Sequence, residues 1–263
     1  MALTGKSPAG TYKDLITLEN SNNGVDGTLR NIRTGNGSNT SASISDRALK
    51  IKSATDNTTA LDIQNSSGAS KFVVDTTNSQ VKSLGTHINT QYARFGIGAS
   101  SSANYVVDTH HPLPFTSIII GSTSLQDNLK FGTGTDPATT FTTADGSDTD
   151  ASLLVPVLWY VPDSISIDSV YHIEGGTAST GDTTRLHLFS YTFTSGSTSA
   201  LTSGTLLAHS NDITNAGSEQ AYSGTWTVDS ASVTAGKVIL AFFVCDSVNS
   251  NYSVNLTVKY HLT

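Results

Sequence analysis

The densest apolar run of the chain, Ser152-Leu-Leu-Val-Pro-Val-Leu-Trp-Tyr-Val-Pro-Asp163, leads directly into an alternating stretch, Ser164-Ile-Ser-Ile-Asp-Ser-Val-Tyr-His-Ile173. Period-two alternation puts successive side chains on opposite faces of a strand. The second stretch therefore predicts a half-buried β-strand with Ile165, Ile167 and Val170 inward. The first stretch does not alternate, and its Pro156 removes a ladder donor, which suits an edge, a bulge or a segment buried on both sides. A subunit interface reconciles the two facts, and Leu154, Val157, Trp159 and Val161 are the side chains expected to form it.

Elsewhere the chain is polar without being charged: hydrophobic residues make up 37% and charged residues 13% of its 263 residues. Disordered chains this poor in apolar residues normally carry more charge, because repulsion as well as weak burial keeps them open. The residues that fill the gap are Ser, Thr, Asn and Gly, and β-branched side chains lose less freedom on a pleated strand than against a helical turn. An all-β protein is expected. Between residues 113 and 263 about eight strand patterns alternate with turn signals, as in a jelly-roll-like β-sandwich. Alternation assigns its core to Ile165, Ile167, Val170, Leu186, Leu188, Trp226, Val228, Ile239, Ala241, Phe243, Val254, Leu256 and Val258.

Three regions are predicted: an extended arm over 1–40, a short-strand region over 41–112, and the sandwich over 113–263. Within the second, Leu49-Lys-Ile51, Leu61-Asp-Ile63, Phe72-Val-Val74 and the apolar pair Val81 and Leu84 recur between turns such as Asn65-Ser-Ser-Gly68 and Thr76-Thr-Asn-Ser79. Each strand offers only two or three apolar side chains, worth about 1.5–3 kcal/mol each when fully buried. Ordering each residue costs roughly 1–2 kcal/mol. Such a region needs a partner: either it packs on the C-terminal domain or identical segments of neighbouring chains complete its core, and the regular spacing favours the second. Residues 86–112 read as a loop-rich junction.

Chemistry is sparsely indicated. Asp145-Gly-Ser-Asp-Thr-Asp150 lacks the spacing and the terminal Glu of an EF-hand and reads as a solvated turn. None of the seven histidines falls in a zinc spacing, and the single cysteine, Cys245, sits in an apolar run and excludes a thiolate site. His172 and His187 lie on strands expected to be neighbours. No nucleophile elbow or phosphate loop is present. The reading is a non-enzyme with no cofactor and no metal. The net charge of -7, with no Lys/Arg cluster, argues against nucleic acid and acidic lipid. The start has no export-signal pattern and no run reaches the length of a membrane helix, so synthesis in a cytoplasm and no membrane association are expected.

The stretch Gly10-Thr-Tyr-Lys-Asp-Leu-Ile-Thr-Leu-Glu-Asn-Ser-Asn-Asn-Gly-Val-Asp-Gly-Thr-Leu-Arg-Asn-Ile-Arg-Thr-Gly-Asn-Gly-Ser-Asn39 resembles the leading segment of tailed-phage virion appendages, marine ones in particular. Leu158-Trp-Tyr-Val-Pro-Asp163, Gly181-Asp-Thr-Thr-Arg185, the segment from Asp212 to Tyr222 and Val258-Lys-Tyr-His-Leu-Thr263 are similar to marine phage structural proteins. Thr34 stands where the family pattern has an acidic residue. The resemblance implies a homotrimeric virion protein located on the particle. Its arm would be anchored to other virion proteins, of the tail or the major capsid shell, through Tyr12, Leu15, Leu18, Val25, Leu29, Arg30 and Arg33. It implies a tail fibre or spike that contacts the host, with a host-surface glycan as a candidate ligand. The alternative is a capsid decoration protein of the cement or head-fibre type.

Overall fold

The computed structural model describes residues 16–21, 23–97, 107–115, 129–130, 142–143, 155–177, 180–196, 201–217, 219–246 and 251–263. The chain divides into two compact units, 1–88 and 89–263, and both are built from antiparallel strands.

The first unit contains two four-stranded meanders. One is formed by β1 (Ile16–Leu18), β2 (Arg30–Thr34), β3 (Asn39–Ile44) and β4 (Leu49–Ile51), the other by β5 (Leu61–Gln64), β6 (Ser70–Asp75), β7 (Gln80–Ser83) and β8 (Thr86–His87). Turn chemistry sets these hairpins. Between β5 and β6 the Asn65 carboxamide oxygen accepts from the backbone N–H groups of Ser67 and Ala69, and Gly68 takes the left-handed conformation (φ 81°) that closes the turn. Register then sorts the side chains. Leu61, Val74 and Val81 form one row and Ile63 and Phe72 the next, all on one face of their sheet. Ile44 opposite Leu49 and Ala42 opposite Ile51 do the same in the first sheet.

The second unit is β-sandwich-like. Its first sheet has the order β18-β14-β22-β9, with β20 also on β14. Its second has the order β10-β21-β15-β16-β19, with β13 on β21 and β17 on β15. In chain order the strands are β9 (Thr90–Ile97), β10 (His111–Pro112), the small separate pair β11 (Leu129–Lys130) and β12 (Thr142–Thr143), and β13 (Trp159–Tyr160). They continue with β14 (Ile165–Thr177), β15 (Thr183–Thr192), β16 (Thr205–Ser210), β17 (Ile213–Thr214) and β18 (Glu219–Ser223). The last are β19 (Trp226–Val228), β20 (Ser232–Val233), β21 (Lys237–Cys245) and β22 (Asn251–Leu262). From β14 onward the chain passes repeatedly between the two sheets. The main core, which includes Phe95, Ile165, Leu186, Ala241 and Leu256, draws on strands of both.

Every residue assigned to the core by alternation is buried except Trp226 and Val228, which are half-buried and pack against it. Ile165, Ile167 and Val170 share a face despite their odd spacing because a bulge between Ile167 and Ser169 resets the parity. Two expectations differ from the structure. The junction 86–112 contains a full strand, β9, paired with β22 from Thr90–His261 to Ile97–Val254, so the second unit begins before residue 113. Strand β21 is buried on both faces: Ile239, Ala241 and Phe243 enter the main core, whereas Val238, Leu240 and Phe242 enter a second one with Val157, Phe189, Tyr191 and Leu201. A continuous apolar run is the pattern such a doubly covered strand requires. The strand near residue 113 is the short β10 at His111–Pro112, followed by buried Leu113 and an isolated bridge from Phe115 to Phe95, and residues 116–121 lie outside the described residues.

Candidate functional site

In the first unit the buried side chains among the described residues are Asn20 and Asp75, both polar. Leu49, Ile63 and Leu84 are 66%, 53% and 73% exposed, and Ile16, Ile51 and Ile88 are exposed as well. Leu49, Ile51, Ala60, Leu61 and Val74 line an open groove of about 470 Å³. The strand register has thus gathered an apolar face that the described residues of this unit do not cover.

The arm residues divide into groups. Tyr12 and Leu15 lie outside the described residues. Leu18 is half-buried on β1 opposite Ile32, and Val25 and Leu29 are exposed. Arg30 and Arg33 engage carboxylates of this same chain. Arg30 contacts Asp26 at 3.0 Å and holds its carboxyl below the ordinary value, helped by the Thr28 N–H, while Arg33 pairs with Glu19. An anchoring role for these guanidiniums has to compete with those intrachain pairs.

The interface expected in the apolar run is corrected by the structure. Val157, Trp159 and Val161 are buried in the unit's own cores, and Leu154 lies outside the described residues. The run fails to alternate because it is not one strand. A 3₁₀ turn over Val155–Val157 precedes the two-residue strand β13, and period-two logic does not apply across that junction. Val155 and Tyr160 are the exposed large side chains there.

Polar chemistry concentrates on the core face of β14. Strand alternation directs His172 and Glu174 the same way, and both are buried. The Trp226 indole N–H donates to His172 Nδ1 at 2.7 Å. An indole is a donor only, so Nδ1 is the acceptor and the ring proton of neutral His172 sits on Nε2. That nitrogen is 3.7 Å from Glu174 Oε2, too far for a hydrogen bond. Glu174 Oε1 is bonded to Thr184 Oγ1 across the sandwich. Burial lowers the His172 pKa to about 4 and raises that of Glu174 to about 7, the Thr184 bond opposing the rise. Gly224 makes room for the ring, since a Cβ at that position would lie 2.1 Å from His172 Cε1.

His172 and His187 do not meet. They lie in different sheets, and His187 packs edge-on against His110 with ring centres 5.0 Å apart. Burial, followed by the nearby His110, Arg185 and His209, depresses the His187 pKa to about 3. Of the aromatic side chains able to stack on a sugar, Tyr160 and Tyr171 are exposed, whereas Tyr222 bonds to Asn215 Oδ1 at 3.0 Å and Trp226 is held by His172. On the outer face of the first sheet Tyr171 lies across from Thr257 and Arg94, and the next row holds Lys259 and Tyr92. The Asp145 to Asp150 loop lies outside the described residues. Sequence reasoning did not single out Glu174. Its signal was available as a carboxylate at a core-parity position, two residues after His172 on an alternating strand. No known protein family matches the chain, and no characterised protein matches it either.

Proposed function

We propose that this chain is a non-enzymatic structural protein of a tailed-phage virion, a homotrimeric appendage anchored through its N-terminal segment, with the C-terminal unit displayed as a tail fibre or spike. The observation that carries the reading is the first unit's uncovered apolar face. Eight short strands whose apolar side chains stay exposed or half-buried, with no buried hydrophobic side chain among the described residues, fall short of the burial that offsets chain entropy. Identical faces on neighbouring copies supply the missing burial, as closed symmetric assemblies do. The resemblance of residues 10–39 to virion appendages supplies the setting. Tyr92, Arg94, Tyr171 and Lys259 on an exposed sheet face support contact with a host-surface glycan, because tyrosine rings offer stacking surfaces and the cations suit acidic sugars.

Quantification of the protein in purified virions, with antibody labelling in electron micrographs, tests the reading. A few trimers per particle, located at the tail, are expected. A copy number near that of the major capsid protein would overturn the fibre assignment in favour of capsid decoration, and absence from virions would overturn both.

A further inference from the structure

The unit spanning 89–263 carries five Lys and Arg side chains against fourteen Asp and Glu. Arg185 pairs with Asp212, and the Lys237 ammonium donates to Thr192 Oγ1. Arg94 and Lys259 differ: neither takes part in a hydrogen bond or ion pair among the described residues. Strand register brings both to the outer face of the first sheet. Tyr171, Thr257 and Arg94 form one row across β14, β22 and β9, and Ser169, Lys259 and Tyr92 form the next. Adjacent strands lie about 4.8 Å apart, and successive rows on one face roughly 7 Å apart. Lys259 therefore stands directly opposite Tyr92 and diagonal to both Arg94 and Tyr171.

Tyr92 and Tyr171 are 60% and 55% exposed, Arg94 is exposed as well, and Lys259 is half-buried. Ser169 Oγ donates to the Tyr171 hydroxyl at 2.9 Å, which restrains the phenol on this face. The outward positions of β14 from Ser169 to Gly175, of β22 from Ser253 to Lys259 and of β9 from Tyr92 to Gly96 hold no carboxylate. The next one along β14, Asp168 at the bulge, is engaged by His261 Nδ1 at 2.9 Å. Two neighbouring cations repel each other, and nothing on these three strands compensates them. An anionic ligand relieves both at once, and a cationic patch in an otherwise acidic unit is where such a ligand is met.

We propose that this face binds a linear polysaccharide bearing a carboxylate on its sugars, with Arg94 and Lys259 pairing with the carboxylates and Tyr92 and Tyr171 packing against the sugar rings. The inference rests on the second unit being the part of the chain that contacts the host, and it names the class of glycan contacted. A guanidinium fork matches a carboxylate in two parallel hydrogen bonds, and tyrosine offers an apolar ring with a polar tip to a ligand that is itself both. Extent selects a polymer. From Tyr171 to Arg94 the site crosses two strand spacings, roughly 10 Å, which is wider than one sugar ring. A repeating chain also presents the same epitope many times and can engage several copies of the protein together. Charge density selects a carboxylate over a heavily sulfated chain. Two directed cations meet about one charge per sugar, whereas a denser polyanion is repelled by the acidic surroundings.

The test is biolayer interferometry of the full-length protein against polygalacturonate and alginate as carboxylated chains, dextran as a neutral one and dextran sulfate as a dense polyanion. Both carboxylated chains are expected to bind at least tenfold more tightly than either dextran, and to weaken as salt is raised. Free galacturonic acid at the same sugar concentration should not compete. The double variant Arg94→Ala, Lys259→Ala should lose at least tenfold in affinity and Tyr171→Ala at least threefold. Tyr160→Ala, which removes an exposed tyrosine of the second sheet, should lose nothing. Absence of binding to both carboxylated chains overturns the proposal, as does neutral dextran bound equally well or full affinity in the double variant. Tighter binding of dextran sulfate overturns the carboxylate assignment, and a double variant that also changes oligomeric state in light scattering makes the face a subunit contact instead. Should the double variant fail to fold, Arg94→Gln and Lys259→Gln, made singly, carry the test, and undiminished affinity in both refutes the site. Because every readout is taken on purified protein, failure here strikes the glycan assignment alone, while absence from virions strikes the virion reading and leaves the binding measurement standing.

Discussion

At the scale of single residues, the neighbouring pair His172 and Glu174 sets a pH dependence whose two halves cancel. Glu174 is ionised in the unfolded chain above 4.5 but stays protonated in the folded one up to about 7, so by itself it makes stability fall as pH rises through that window. His172 is protonated in the unfolded chain below 6.5 but neutral in the folded one down to about 4, so by itself it makes stability fall as pH drops. Between 4.5 and 6.5 the folded and unfolded chains bind the same number of protons at this pair, which adds no slope. Removing one partner exposes the other. Relative to the wild type, Glu174→Gln should gain stability with rising pH at up to ~1.4 kcal/mol per pH unit across that window. His172→Asn, whose carboxamide oxygen still accepts from Trp226, should show the opposite sign. Urea denaturation at a series of pH values measures both slopes, and parallel curves for all three proteins would mean that neither group is neutral in the folded state. The histidine was visible in the sequence as a strand residue. Its partner was not, because a lone glutamate at an inward position announces itself only once the parity of β14 and the approach of β15 are known.

At the scale of elements, β21 and β22 offer a direct contrast between a strand covered on both faces and one covered on a single face. Phe242 and Phe243 point to opposite sides of β21, and both are fully buried. Each truncation to Ala should cost about 3–5 kcal/mol. On β22 the neighbours Val258 and Thr257 should differ sharply. Val258→Ala removes core volume, whereas Thr257→Ala, on the outer face, should stay within about 0.5 kcal/mol of wild type. Chemical denaturation of the four variants reads this out, and a mild Phe242→Ala would show that the second core contributes little. The same contrast explains what could be read from residue order alone. Alternating strands such as β14 and β22 reveal their inward faces directly, and their assignments hold. Strand β9 was missed because the residues after it, Gly98-Ala-Ser-Ser-Ser102, look like a loop and its own partner, β22, lies at the far end of the chain. In the run 153–161 the expected interface residues Val157, Trp159 and Val161 point inward, because a 3₁₀ turn with Val157 as its buried residue feeds directly into β13, and residue order does not mark where the turn ends.

At the scale of the whole molecule, the two units differ in what they bury. The unit spanning 89–263 has two apolar cores of its own, while the described part of 1–88 buries only polar side chains. The first unit is therefore expected to take its stability from association between copies, and the second from its own interior. Light scattering of the full chain should report a trimer at micromolar concentration. The double variant Leu49→Asp, Ile51→Asp places carboxylates on adjacent apolar positions of the uncovered face. Burying an unpaired carboxylate costs several kcal/mol, more than an exposed leucine contributes, so the association should weaken by at least a hundredfold and the variant should run as a monomer. Near-ultraviolet circular dichroism, dominated by the tryptophans and most of the tyrosines of 89–263, should be unchanged. A variant that stays trimeric with an intact spectrum would move the association away from the Leu49 and Ile51 face. A wild-type monomer would require the strands β1 to β8 to be stable with no buried apolar side chain among the described residues of the first unit, and hydrogen exchange would then have to show protected amides in β5 to β7 at concentrations where no association occurs.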